Sequence, residues 1–217
     1  AAAFFNDVVP LRMAGRGKFV YDEFRVGEMV EDALQTASEL LQAANNIALL
    51  LSPMISCEDA WLLGNLVRSI DSNAIIGLGP VPIDGEDKTF KSGFTVRSEK
   101  APNARGVRRV LGDILEYEAW KDRINEADKV IVTGNYPEEW DTPSLKDDQT
   151  CILLDTLQNA LTERADVFIP CATWAEKSGT FENHNNVLQV FEQAVQPLGD
   201  AQAEGQIAMN LQALVDE

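Results

Sequence analysis

The 217 residues suffice for one large domain or two small ones and can bury a sizeable core. A hydrophobic fraction of 45% suits a soluble globular chain, whereas the formal net charge of −17 opposes binding to nucleic acid or an anionic membrane surface and favours basic partners. No apolar run approaches the ~20 residues that span a bilayer, and three scattered cysteines, Cys57, Cys151 and Cys171, suggest a reducing compartment and cannot supply the four thiolates of a cubane cluster.

In chain order, residues 1–5 lack a basic segment and an initiator methionine, and read as the cut end of a fragment or processed chain. Residues 1–27 read as an irregular lead-in with a strand at Phe19–Tyr21, and residues 28–217 as one α/β domain. Val30, Ala33, Leu34, Ala37, Leu40, Leu41 and Ala44 recur at helical period and predict an amphipathic helix that stops at Asn45 and Asn46. Ile47–Leu51 follows as a strand, ended by Ser52 and Pro53. Ser56 and Asp59 form a reciprocal capping box for a helix from Cys57 to Ile70, and Ala74–Leu78 completes a β-α-β unit. Cys57 in the first turn of that helix reads as structural, since no base or second thiol is near.

Residues 79–103 form a long loop interrupted by Pro80, Pro82, Gly85, Gly93 and Pro102. Lys88, Lys91, Arg97, Lys100, Arg105, Arg108 and Arg109 gather there and just beyond, as a solvated counterweight to the acidic chain or as a dock for a phosphate or an acidic partner. Helices are expected over Arg105–Ile114 and Tyr117–Ala127, then strands at Lys129–Thr133 and Thr150–Leu154, a short helix from Leu157 to Arg164, and a strand at Val167–Ile169. Val187–Phe191 suits an edge strand or hairpin, and Asp200 an N-cap for a closing helix with Ile207, Ala208, Leu211, Leu214 and Val215 on its apolar side.

Candidate chemistry is sparse. One histidine, His184, must fill every imidazole role, and it sits in a polar turn; Glu176 and Glu182 read as a capping carboxylate and a turn stabiliser. No glycine-rich phosphate loop is present.

The run from Ala165 to Gln189 reads A-D-V-x-x-P-x-x-T-x-x-E-K-x-G-T-x-x-N-x-x-x-x-x-Q and resembles the late signature of the molybdopterin oxidoreductase superfamily. In the form E-K-x-G-T-F-x-N it is similar to the large iron–sulfur subunit of NADH-quinone oxidoreductase, respiratory complex I. The likeness extends upstream to Lys129–Glu138, ending G-N-Y-P-E, and more weakly to Ala101–Val107 and to residues 15–22. It implies a doubly wound, mostly parallel sheet, Rossmann-like, with helices on both faces. In cofactor-bearing relatives the matching positions, here Glu176, Gly179, Thr180, Asn183, Gln189, Gly134, Asn135, Asn103 and Gly106, shape the pterin side of the site. The residue that ligates molybdenum there has no equivalent in this chain, nor have the iron–sulfur cysteines.

Three readings follow from the resemblance and the residues. The first is a scaffold region of such a large iron–sulfur subunit: its parent moves electrons from NADH towards quinone, holds its iron–sulfur clusters elsewhere, contacts other subunits of a respiratory complex, and lies in the cytoplasm against the inner face of the membrane. The second is the pterin-binding part of a molybdenum or tungsten enzyme such as a formate dehydrogenase. The third is a non-catalytic docking module that uses the basic loop.

Overall fold

The computed structural model describes residues 26–217. The expected strand at Phe19–Tyr21 and the stretch 15–22 lie outside the described residues. Five strands form one parallel sheet: β1 (Ile47–Leu51), β2 (Ile75–Leu78), β5 (Lys129–Thr133), β6 (Thr150–Asp155) and β7 (Val167–Pro170), in the order β2-β1-β5-β6-β7. Such strands are buried on both faces, which is why they read as unbroken apolar runs rather than alternating ones. Two short hairpins stand apart from the sheet, β3 (Lys88–Thr89) with β4 (Thr95–Val96) and β8 (Gly179–Glu182) with β9 (Leu188–Phe191).

Alternate residues of the strands serve two cores. Leu49, Leu51, Ile131, Ile152, Leu154 and Ile169 face α1 (Val26–Gln42), α2 (Cys57–Ile70), α3 (Ala104–Leu111) and α5 (Glu204–Val215). Ala48, Leu50, Val130, Val132, Cys151 and Leu153 face the other way, towards α4 (Tyr117–Arg123) and the segment holding Leu161 and Ala165. Trp120 of α4 is wholly buried there and its indole N–H donates to the Ile75 carbonyl at 3.1 Å, so its polar edge is satisfied inside the core. The fold is therefore a doubly wound α/β sheet with helices on both faces.

Several expectations are corrected. Residues 157–164 form turns, not a helix, because side chains take the N–H groups a helix would need: Leu157 donates to Asp155, Leu161 to Asn159 and Asn159 to the Thr162 hydroxyl. Helix α5 begins at Glu204 with Ala203, not Asp200, in the cap position. Ser56 accepts from the Asp59 N–H as expected, but the Asp59 carboxylate turns away from the cap to other partners. Helix α4, expected to reach Ala127, ends at Arg123 and tightens into a 3₁₀ turn at Ile124–Glu126. The long loop is partly ordered as the β3–β4 hairpin, and the segment after β7 folds as the β8–β9 hairpin.

Candidate functional site

The strand order reverses between β1 and β5, and in open α/β sheets ligands bind beyond the carboxyl ends of the strands at that switch point. A cavity of about 650 Å³ lies there, with Asn135 and Tyr136 after β5, Thr156 and Leu157 after β6 and Thr173 to Lys177 after β7 on its walls. Met54, Phe181 and Val195 add apolar surface, and Trp174, 69% exposed, stands at the rim.

Beneath this cavity the signature residues build a connected polar network. Gly134 passes so close to the next strand that a Cβ would fall 1.6 Å from Asp155 Oδ2, so only glycine fits. Asp155 accepts from the Asn135 N–H at 2.8 Å, the Thr156 N–H at 2.6 Å and the Asn159 amide at 2.6 Å. Burial nonetheless dominates and pushes its carboxyl up to about 6. Asn135, held at φ 67°, donates its side-chain amide to Glu204, while its Oδ1 is buried without a partner among the described residues.

Lys177 is the centre of the network. Its ammonium donates to Asp59 Oδ2 at 2.8 Å and to Glu204, and all three residues are at most 6% exposed. Burial lowers the Lys177 pKa, but the Glu204 and Asp59 carboxylates outweigh it and hold the pKa above the usual lysine range. Burial likewise works against ionised Asp59, yet Lys177 keeps its pKa low, helped by the Ser56 side chain and the Gly205 N–H. Glu204, fully buried, is pushed up to about 7 by desolvation despite the same ammonium. Two carboxylates thus share one cation, and the more deeply buried one retains its proton longer.

The other expected site residues are engaged by neighbouring groups of the protein. Glu176 closes a capping box on Thr173, accepting from its N–H at 2.8 Å and its hydroxyl at 2.9 Å. Gly179 packs on Ser56, and Thr180 donates its N–H and hydroxyl to Glu58 at 2.8 and 2.6 Å. Asn183 holds the β8–β9 turn, accepting from the Asn185 and Val187 N–H groups and donating to Gln189 at 3.0 Å. Asn103 is fully buried, donating to the Ile55 carbonyl at 2.7 Å and accepting from the Glu182 N–H at 2.8 Å; a Cβ on Gly106 would lie 2.0 Å from its Oδ1. Only Asn135 and Glu176 of the nine expected residues line the cavity, with Gly134 adjoining it.

Glu182 receives a bidentate pair from Arg109 at 2.6 and 2.8 Å, and burial raises the Cys57 thiol pKa. His184 is exposed beside a second groove of about 510 Å³. Among the described residues no group of histidine, cysteine and carboxylate side chains could hold a metal ion. Lys177, Asp59, Asp155 and Glu204 are the members that sequence reading misses. Their signal is faint: Asp59 and Asp155 are acidic residues at the edge of apolar runs, Glu204 and Lys177 lie in polar surroundings, and nothing local marks any of them as buried.

Residues 135–213 match the molybdopterin oxidoreductase family. Within the chain, 60 residues are 35% identical to a nitrate reductase of Symbiobacterium thermophilum, covering 28% of this chain and 8% of that protein. A stretch of 58 residues is 38% identical to the alpha subunit of an F420-dependent formate dehydrogenase of Methanocaldococcus jannaschii, covering 27% of this chain and 9% of the relative. The match thus spans less than a tenth of either relative's length. Among solved structures, a chain of the formyltransferase/hydrolase complex of Methylorubrum extorquens superposes with a TM-score of 0.55 at 10% identity, covering 93% of this chain and 98% of that one. That likeness establishes the doubly wound fold alone.

Proposed function

We propose that this chain is a non-catalytic scaffold region of the large iron–sulfur subunit of an NADH-quinone oxidoreductase of the complex I type. The parent complex carries electrons from NADH towards quinone, and this region supplies packing and contact with other subunits of that complex, on the cytoplasmic side of the membrane. The observation that carries the reading is that the polar groups of the signature, Asn135 Oδ1 apart, are engaged by other groups of the protein. Lys177, the one cationic side chain on the cavity wall among the described residues, is held by Asp59 and Glu204.

The family raises the question of a molybdopterin, an anionic cofactor that brings a metal. The described residues do not fit it. On the cavity wall the one cation is Lys177, already committed to Asp59 and Glu204, and the wall carries no cysteine, serine or aspartate to ligate the metal. A second reading, the pterin-binding part of a molybdenum or tungsten oxidoreductase, draws on the two curated relatives and on the unpaired Asn135 Oδ1, an acceptor for a ring N–H.

Elemental analysis of the full-length parent from its own cells, with a fluorescence assay for oxidised pterin, separates the two. Iron without molybdenum, tungsten or pterin is the expected result. Stoichiometric pterin and metal would overturn the scaffold reading and make Asn135 the first residue to replace.

A further inference from the structure

Residues 82–100 form a hairpin arm. The Lys100 N–H donates to the Pro82 carbonyl at 2.8 Å, Ile83 bridges Glu99, and the Asp84 N–H donates to the Ser98 carbonyl at 2.8 Å. Lys88 then pairs with Val96 and Thr89 with Thr95. At the tip, the Phe90 N–H donates to the Phe94 carbonyl and Gly93 takes φ 84°, the left-handed residue that a three-residue hairpin turn requires.

Side chains of paired residues share a face, and alternate pairs take opposite faces. Lys88, Val96, Phe90 and Phe94 therefore lie on one face, and Thr89 with Thr95, hydroxyls 2.9 Å apart, on the other. The first face is apolar and open: Phe94 is 65% exposed, Phe90 44% and Val96 42%. The two rings lie 6.3 Å apart and the Lys88 ammonium 5.3 Å from the Phe90 ring centre.

The charges are as uneven as the faces. Arg97, Arg105, Arg108 and Arg109 each reach a carboxylate, in Asp87, Glu99, Glu116 and Glu182 respectively. Lys88 and Lys91 reach none among the described residues. The run from Lys88 to Arg97 contains no acidic residue in a chain that holds 35. A two-stranded hairpin is marginal in water by itself, so an arm with one unburied apolar face gains most from a partner.

We infer that the Lys88–Phe90–Phe94–Val96 face docks onto another polypeptide, one that presents an apolar cleft rimmed by aspartate or glutamate. The rings enter the cleft and Lys88 and Lys91 meet the rim. Two other occupants fit worse. A second copy brings a body of net charge −17 against another of −17, and an anionic lipid surface meets the same repulsion. An acidic rim on a separate polypeptide need face only the arm, where the run from Lys88 to Arg97 has no carboxylate of its own to repel it.

The test replaces Phe94 with photoreactive benzoylphenylalanine in the full-length parent, in its own cells, followed by irradiation and mapping of the joined residues. The expected adduct is to a different polypeptide, at apolar residues with carboxylates beside them. Its yield falls about tenfold in the Lys88→Glu, Lys91→Glu background, the response to losing two rim contacts, and recovers when the mapped carboxylates are changed to lysine. Thr89→Ser, on the opposite face, leaves the yield unchanged. Adducts only within the same chain, to a second copy or to lipid would overturn the inference, as would no adduct or one indifferent to charge reversal.

Discussion

Replacing Lys177 with methionine keeps its apolar stem and removes its ammonium, leaving Asp59 and Glu204 in a buried site with no cation between them. Breaking a buried pair in this way costs about 3–5 kcal/mol, so urea unfolding of Lys177→Met is expected to show a loss of that order. Glu204→Gln tests the proton balance instead. The folded pKa of Glu204 is raised to about 7, so its contribution to stability is complete below the ordinary glutamate range and lost as pH rises through 7. Asp155, raised to about 6, acts in the same direction but finishes earlier. The wild-type unfolding free energy should therefore fall between about pH 4 and 7, and in Glu204→Gln the fall should be smaller and end near pH 6. Equal slopes in the two proteins would refute the assignment.

At the scale of elements, Asn103 joins three of them: the loop before α2 through the Ile55 carbonyl, the N-terminus of α3, and β8 through the Glu182 N–H. Asn103→Ala strands a buried donor and a buried acceptor, and should cost about 1–3 kcal/mol for each group left unmet. Leu211→Ala on α5, 1% exposed, opens a cavity worth about 2–5 kcal/mol; thermal unfolding reads both variants. These elements differ in how far the chain announces them. The apolar period of α1 and the unbroken runs of β1, β5 and β6 are written locally, because each reports a face that must be buried. The turns at 157–164 are not, since their apolar spacing suits a helix and only the side chains of Asp155, Asn159 and Thr162 decide otherwise. The signature itself is legible as a motif, and its position at the sheet's carboxyl edge follows from strand order. What its residues touch is not legible: the partner of Thr180 is Glu58, and those of Lys177 are Asp59 and Glu204.

For the whole molecule, a net charge of −17 means that carboxylates repel one another across the surface. Added sodium chloride screens that repulsion, so the melting temperature is expected to rise between low salt and about 0.5 M, where the Debye length has fallen to a few ångströms. A flat or falling curve would show that the surface ion pairs, such as Arg108 with Glu116, outweigh the repulsion. The lysine network has a consequence in time as well as in space. Lys177 stands 118 residues from Asp59 and 27 from Glu204, so the ammonium meets its first carboxylate only through a long loop closure and its second only when the last helix arrives. Synthesis from the amino terminus delivers every strand of the sheet before Glu204 exists. A chain ending at residue 203 would hold all five strands with part of one sheet face uncovered, and would stay open to proteases and chaperones for want of α5 packed against α2.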